Sequence, residues 1–227
     1  MKSLFIVIAM VVIGTIILIV HLFSIERRRK MAAYAASQGW RFRPEKDKGM
    51  SARFPNFKCL RRGHSRYAYN IMQGRRENRE VTAFDYHYTT GHGKNRHDHH
   101  FSALVIKSPL PLKPLYLRPE NIFDKVTDFF GYDDIDFESA EFSRKFYVKT
   151  ADKKWAYDVI HQRMMEYLLE QPKFHIQFDT GHIMAWRNKR FSEEDFESAF
   201  EQIQGMLKRL PEYVRHQQLQ GSSSRED

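Results

Sequence analysis

Five histidines lie within fourteen residues near the middle of the chain, and their type and spacing suggest metal chemistry. The set is His87, His92, His97, His99 and His100, with Asp85 and Asp98 beside it. Neutral imidazole binds zinc, nickel or copper, and a carboxylate can complete such a site. If two strands joined by a tip form here, His87 lies opposite His99 or His100. The candidate metal ligands are therefore His87, His99 and Asp85.

The same residues have a simpler interpretation as a solvated polar hairpin tip, because their spacing matches no recognised metal motif. His99 and His100 are adjacent, so in a strand they point to opposite faces and cannot both bind one metal ion. Gly91 and Gly93 make the tip loose, and ordering it costs about 1–2 kcal/mol per residue before any metal bond forms. We therefore expect no high-affinity structural metal site and no cofactor.

Other segments that resemble catalytic motifs are incomplete. The segment at 63–67 reads GHSRY and lacks the G-x-S-x-G pattern of a nucleophilic serine. The GHGKNR stretch at 91–96 lacks the spacing and the Ser/Thr of a phosphate-binding loop. An acidic run at 133–141 could hold Mg²⁺ or Ca²⁺, but it lacks the calcium-loop pattern and reads equally well as a solvated edge or a partner for basic residues. Cys59 is the single cysteine, which excludes disulfides and multi-cysteine metal sites.

The elements that must position these residues begin with an apolar run at the N-terminus. Leu4 to Val20 contains no charge, and His21 to Phe23 lengthen the run to 20 residues. At 1.5 Å rise per residue, about 20 residues cross a hydrocarbon core of roughly 30 Å. The run therefore predicts a transmembrane helix. A cleaved signal peptide is the alternative, but its apolar region is usually only about 7–15 residues long and is not followed by a basic cluster.

Positive charge is concentrated directly after the apolar run. Lys2 precedes the run, whereas Arg27, Arg28, Arg29 and Lys30 follow it. The positive-inside rule then predicts that the N-terminus lies outside and that the rest of the chain lies in the cytoplasm.

The charge asymmetry extends beyond this cluster. Residues 26–107 carry a net charge of +12, and residues 108–227 carry a net charge of −4. Such charge can simply fix topology and solubility, or it can attract anionic lipid headgroups at about 1 kcal/mol per basic residue near the surface. The residues expected to contact anionic lipid are Arg27, Arg28, Arg29, Lys30, Arg61 and Arg62. No nucleic-acid partner is expected, because the basic and aromatic residues at 58–70 accompany no recognised nucleic-acid motif.

Patterning after the anchor predicts an α+β fold. Turn residues separate strand-like runs, which predicts a mostly antiparallel sheet with strands at 57–62, 65–73, 80–90, 99–108, 115–117, 145–149, 174–178 and 183–187. Three amphipathic helices are expected at 119–130, 152–170 and 192–209. The expected organisation is a transmembrane anchor at 1–25, a basic juxtamembrane helix at 26–38, a cytoplasmic α+β domain at 39–215 and a disordered tail at 216–227.

Several segments of the sequence together carry a family resemblance. They are Gly39-Trp40, FDYHYTTGHGKNR at 84–96, LRPENIFDK at 117–125 and DDIDFESAEFSRKFYVK at 133–149, and the most specific stretch is FSRKFYVKTADKKWAYDV at 142–159. The chain resembles a bacterial family of small membrane-anchored proteins of unknown function. It is similar, more distantly, to a larger uncharacterised bacterial family with a cytoplasmic domain behind N-terminal membrane helices. The resemblance covers most of residues 30–215 and implies an anchor in a bacterial inner membrane and a single domain, but no activity.

The sequence as a whole predicts a single-pass membrane protein whose cytoplasmic domain is an interaction or scaffolding module. Its expected partners are the bilayer, anionic lipid headgroups and an unidentified protein. The alternative is a metal-dependent hydrolase that uses the histidine hairpin. A hydrolase would bring Asp85, His87 and a further titratable group together in a deep pocket, whereas a binding module would expose an apolar or basic surface.

Overall fold

The structure is a computed structural model that describes residues 2–120, 135 and 137–216. An N-terminal helix precedes one eight-stranded antiparallel sheet with further helices, so the predicted α+β class is confirmed. Residues 121–130 of the helix predicted at 119–130, the acidic residues Asp133, Asp134 and Asp136, and the predicted tail from 217 onward lie outside the described residues. Pro119, predicted to open that helix, is instead the last residue of a strand.

The elements are bounded as follows. The α-helices are α1 (Lys2–Ser37), α2 (Met50–Arg53), α3 (Ala140–Lys145), α4 (Lys153–Val159), α5 (Gln162–Glu170) and α6 (Glu193–Arg209). The strands are β1 (Arg41–Arg43), β2 (His64–Arg76), β3 (Arg79–Thr90), β4 (His97–Lys107), β5 (Leu115–Pro119), β6 (Phe146–Lys149), β7 (His175–Phe178) and β8 (His182–Arg187).

Helix α1 joins the predicted anchor and the predicted juxtamembrane helix into one continuous element. By length and composition it can cross a membrane, and the large apolar side chains described between Ile6 and Ile25 are 46–72% exposed. Its second half instead buries Met31, Tyr34 and Ala35 in the core of the domain. Gly39 then ends the helical path at φ +68°, a left-handed conformation that glycine adopts without steric cost. The expected boundary near residue 25 is thus a change of environment along one helix.

The sheet has the strand order β1-β2-β3-β4-β8-β7-β5-β6, and every neighbouring pair is antiparallel. Strands β2 and β3 are joined by the two residues Glu77 and Asn78, both at positive φ. This geometry is that of a type I′ turn, whose twist matches the twist of the strands it connects. The long β2–β3–β4 meander carries all the predicted metal ligands.

Both faces of the sheet are covered over most of its area. On one face, apolar residues of α1, α4, α5 and α6 pack against strand residues such as Val81, Leu104 and Ile176. On the other face, α2 and the following 3₁₀ turn pack against residues such as Phe84 and Trp186. We call the first of these the helix face.

The residues predicted as a strand at 57–62 form a 3₁₀ turn at Lys58–Arg61 instead. Cys59 and Leu60 are both buried in the same cluster. Neighbouring residues of a strand point to opposite faces, so only a turn can place both side chains in one core. The buried Cys59 thus acts as a small core residue.

The helix predicted at 152–170 is divided into α4 and α5. The chain leaves helical geometry at Ile160, where φ is −98° and ψ is 55°, and restarts after His161. The break lets both Val159 and the α5 residue Met164 reach the same core. In contrast, α6 begins as predicted, because Ser192 and Asp195 form a capping box.

We predict that Gly74→Ala weakens the junction between α1 and the sheet. An added Cβ would lie 2.1 Å from Cδ1 of the buried Trp40, which follows α1 directly. Overpacking of this kind costs about 1–3 kcal/mol of unfolding free energy, measurable by denaturant titration in detergent. Gly181→Ala is the matched control, because its Cβ would have no neighbour within 4 Å. Equal stability of the two variants would contradict the prediction.

Candidate membrane-facing site

One buried ion pair holds α1 on the sheet. Arg27 Nη2 lies 2.8 Å from Asp85 Oδ1, and Arg27 Nε lies 3.1 Å from Asp85 Oδ2. The pair is therefore bidentate, the geometry in which Arg–carboxylate contacts are strongest. The side chain of Asp85 is 0% exposed and that of Arg27 is 17% exposed. Arg27 also donates to the carbonyl of Phe191, just before α6. One side chain thus links α1, β3 and the start of α6.

The carboxylate of Asp85 accepts two further hydrogen bonds. Asn70 Nδ2 donates to Oδ2 at 3.0 Å, and the hydroxyl of Ser102 donates to Oδ1. Ser102 lies opposite Asp85 in the β3–β4 register. Asn70 sits in an irregularity of β2 with φ +49°, a conformation that asparagine tolerates better than most residues. The buried charge is thus paired and fully engaged, as its burial requires.

Two contacts, one made by Arg27 in α1 and one by Trp40 just after it, show the direction in which α1 runs across the sheet. Arg27 contacts Asp85, whereas Trp40 Nε1 donates to the carbonyl of Arg75 near the opposite end of β2. Residues that precede Arg27 therefore continue toward the end of the sheet that holds the β3–β4 turn at 91–96. We call this the anchor end of the sheet.

The residues predicted to contact lipid fall into two groups. Arg28, Arg29 and Lys30 are exposed on α1, and Lys30 lies 3.8 Å from Glu26. Arg61 is exposed and Arg62 is half-buried, and Gly63 separates them from the first residue of β2. That residue, His64, pairs with Thr89 at the anchor end. Arg61 and Arg62 therefore lie near the anchor end, whereas Arg28, Arg29 and Lys30 follow Arg27 along α1 and Arg27 itself is used inside the domain.

The predicted metal ligands are divided between the two faces of the sheet. Asp85 and His87 share the helix face, and the β3–β4 register places His100, not His99, opposite His87. The rings of His87 and His100 lie 4.9 Å apart. His99 stacks on Tyr88 at 4.6 Å on the other face. The register thus separates His99 from the other two candidate ligands.

The nearby carboxylates are already engaged by protein donors. Asp98 Oδ1 lies 3.4 Å from His87 Nε2 but also accepts from the Thr89 hydroxyl and from Arg96. The Thr89 and Arg96 hydrogen bonds lower the pKa of Asp98 to about 2. His87 Nδ1 faces the carbonyl of Ser65 at 3.1 Å. Within the described ranges no group of three His, Cys, Asp or Glu residues could hold a metal ion.

The sequence reasoning missed a strip of rings on the helix face of the anchor end. It consists of Tyr67, Tyr69, His87 and His100, and we call it the ring strip. Burial, with the charge of Asp85 in addition, raises the pKa of Tyr69 to about 12. Partial burial of the imidazole also lowers the pKa of His100, and the charge of Arg190 acts in the same direction. The alternation of Tyr67 and Tyr69 in the sequence was the available signal, but His87 and His100, their ring partners, lie 20 and 31 residues further along the chain.

An open groove of about 520 Å³ lies beside the strip, between α1 and the start of α6. Its walls include Phe23, Lys30, Arg190 and Glu193. Neither Asp85 nor His87 lines this groove. Its lining mixes basic and acidic side chains at the level where α1 leaves the domain.

No family model and no curated protein matches the chain. Its fold is similar to the crystal structure of the mycobacterial trehalose monomycolate transport factor A, with a TM-score of 0.58 and 14% sequence identity. The alignment covers 81% of this chain and 96% of that chain. At this level of identity the similarity concerns the fold alone. The family resemblance drawn from sequence phrases stays a prediction.

We predict that Asp85→Asn lowers the unfolding free energy by about 3 kcal/mol, because it leaves the guanidinium of Arg27 without its counter-charge in a mostly buried site. Replacing both partners, as in Arg27→Met with Asp85→Leu, should recover part of the lost unfolding free energy. A double-mutant cycle with denaturant unfolding measures this recovery. Glu80→Gln is the control, because it breaks the exposed Lys107–Glu80 pair and should cost less than about 1 kcal/mol. Equal losses in Asp85→Asn and Glu80→Gln would contradict this role.

We predict that the histidine hairpin is not a structural metal site, because its carboxylates are engaged and its imidazoles are divided between two faces. Equimolar zinc or a chelator should leave the thermal midpoint of the full chain unchanged. A shift of several degrees that His100→Ala abolishes and His99→Ala keeps would show a site around His87 and restore the hydrolase alternative.

Proposed function

We propose that the protein is a single-pass membrane protein whose α+β domain is an interaction module at the cytoplasmic face of the inner membrane. The observation that carries this proposal is the double role of α1. Its first half is apolar and exposed over the length of a bilayer, and its second half belongs to the domain core. The domain is therefore held next to the membrane by a helix, without a flexible linker.

The packing of α1 also favours an anchor over a cleaved signal peptide. Cleavage in the alanine-rich stretch at 32–36 would remove Met31 from the core, and a cut after Ala35 or Ala36 would remove Tyr34 as well. It would also remove Arg27 and leave the buried carboxylate of Asp85 without its counter-charge. Retention of the whole helix avoids both costs.

Orientation and lipid contact rest on the position of positive charge. Arg28, Arg29 and Lys30 follow the apolar run and are exposed, which favours the cytoplasmic side for the domain. Arg61 and Arg62 lie at the same end of the sheet as the exit of α1. Anionic headgroups near this end would be attracted at about 1 kcal/mol per basic residue.

A non-enzymatic role agrees with the fold comparison. The similar solved structure is named as a transport factor, which supports an accessory role for this chain in a membrane-associated process. In such a role the domain would bind a protein partner beside the bilayer, and no bound cofactor is needed.

A topology measurement tests the proposal. A periplasmic phosphatase fused to the C-terminus should be inactive in cells, and a fluorescent protein at the same position should be bright. Replacing Arg28, Arg29 and Lys30 by Gln is the matched control, because it removes the charge bias and should give mixed orientations. High phosphatase activity of the unaltered chain would contradict the cytoplasmic assignment.

A mass measurement tests the expected protein partner. In particles extracted with native lipid, a mass above that of one chain would support a partner, and a single-chain mass would oppose one.

A further inference from the structure

The ring strip is a continuous aromatic surface that crosses three strands. His87 stacks on Tyr67 with ring centres 4.5 Å apart and lies 4.9 Å from His100. Tyr69 lies 5.8 Å from Tyr67, and its hydroxyl is 3.2 Å from His100 Nδ1. Tyr67 and Tyr69 are half-buried and His100 is exposed, whereas His87 is buried beneath them. The strip therefore presents hydroxyl and imidazole groups to its surroundings.

Two exposed cations flank the strip. Lys46 Nζ lies 4.5 Å from the centre of the Tyr67 ring, and the guanidinium of Arg190 lies 5.9 Å from the centre of the Tyr69 ring. The carboxylates within the strip's own strands are paired, Asp85 with Arg27 and Asp98 with Arg96. Glu193 and Glu194 lie along the groove that Arg190 also lines. On the strip itself, Lys46, Arg190 and the hydroxyl and imidazole donors suit an anion.

The strip lies where the helix cover of the sheet ends. Further along the same face, α1 and α6 bury Val81 and Leu104. Helix α6 begins only after Phe191, and the N–H of Phe191 donates to the Ser102 hydroxyl. From there α6 runs away from the strip, because its residue Gln204 accepts a hydrogen bond from Arg79. In the described part of the chain, the helix face beyond Ser102 is left without a packed helix.

The strip is also level with the end of the apolar run. Tyr67, His87 and His100 lie two residues beyond the Asp85–Ser102 row, about 7 Å along the strands. From Arg27, which marks that row on α1, the same distance corresponds to about four or five helical residues. This reaches Phe23, a 72% exposed residue at the end of the apolar run. The strip is therefore level with Phe23, where headgroups would surround a membrane-spanning α1.

We propose that the ring strip, with Lys46 and Arg190, binds the phosphate groups of anionic phospholipids at the bilayer surface. The inference rests on the proposed membrane anchoring and names the surface that contacts the lipid. Tyrosine suits this position, because its apolar ring and polar hydroxyl match the boundary between acyl chains and headgroups. Arg190 offers a planar donor pair to a phosphate, and Lys46 a point charge.

A photo-crosslinking experiment on the full chain in lipid nanodiscs tests the proposal. The photoreactive residue p-benzoylphenylalanine replaces Tyr69, and mass spectrometry measures covalent phospholipid adducts. The same replacement at Tyr213 is the matched control, because Tyr213 is 49% exposed but lies after the far end of α6. We expect adducts from position 69 in discs of phosphatidylcholine with phosphatidylglycerol, few in phosphatidylcholine alone, and few from position 213. Equal yields at the two positions would overturn the proposal.

Charge variants test the two cations. Lys46→Gln with Arg190→Gln should lower the adduct yield at position 69 by at least about threefold, since each basic residue near an anionic surface adds attraction. Lys154→Gln with Lys208→Gln removes the same charge from exposed positions elsewhere and should leave the yield unchanged. An unchanged yield in the first pair would overturn the role of Lys46 and Arg190.

Two further outcomes would assign the strip to a different ligand. If millimolar inorganic phosphate abolishes the adducts, the strip takes soluble phosphate and the lipid assignment is wrong. If the probe in native membranes labels a protein and no lipid, the strip is a protein-binding surface.

Failure of the lipid site can be distinguished from failure of the proposed function. An outward orientation in cells would contradict the proposed function but leave the adducts in nanodiscs intact. A cytoplasmic orientation without adducts would contradict only the lipid site.

Discussion

The docking of the N-terminal helix α1 on the sheet depends on one buried carboxylate. Asp85 has no exposed surface, and a charge in that position is tolerated only if a counter-charge and hydrogen bonds replace water. Arg27 supplies the counter-charge from the helix that also forms the apolar anchor. A hydrophobic contact would accept several positions of α1 on the sheet, whereas a bidentate pair accepts essentially one. The pair therefore contributes to the register of the helix at least as much as to stability.

The position of α1 in turn fixes the direction in which the apolar half of the helix leaves the domain. Because the helix is continuous from the apolar run into the core, the tilt of the anchor and the orientation of the sheet are coupled. Arg61 and Arg62 lie just before the strand end toward which the apolar half of α1 runs. Under the proposed membrane anchoring, this is the end at which basic residues would meet anionic lipid.

The histidine hairpin shows how strongly strand register controls chemistry. Side chains alternate with a period of two, so a slip of one residue would exchange His99 and His100 between the faces. The observed register puts His100 beside His87 and leaves His99 stacked on Tyr88. Residues that look like a ligand set in sequence therefore belong to two different surfaces. One of these surfaces combines imidazole with tyrosine and lies next to cations, which favours binding of an anion over a metal ion.

The sequence by itself determined the apolar helix, the antiparallel meander and the start of α6, because hydrophobic runs, alternation and capping residues act locally. It also determined the concentration of positive charge after the anchor. Only the tertiary structure decided that 57–62 is a turn and that 152–170 is two helices, since burial of adjacent apolar residues in one core overrides local preference. Only the tertiary structure paired Arg27 with Asp85 and placed Arg190 beside Tyr69. Those contacts join residues 58 and 121 positions apart, and their geometry follows from strand register and helix docking, which no local pattern encodes.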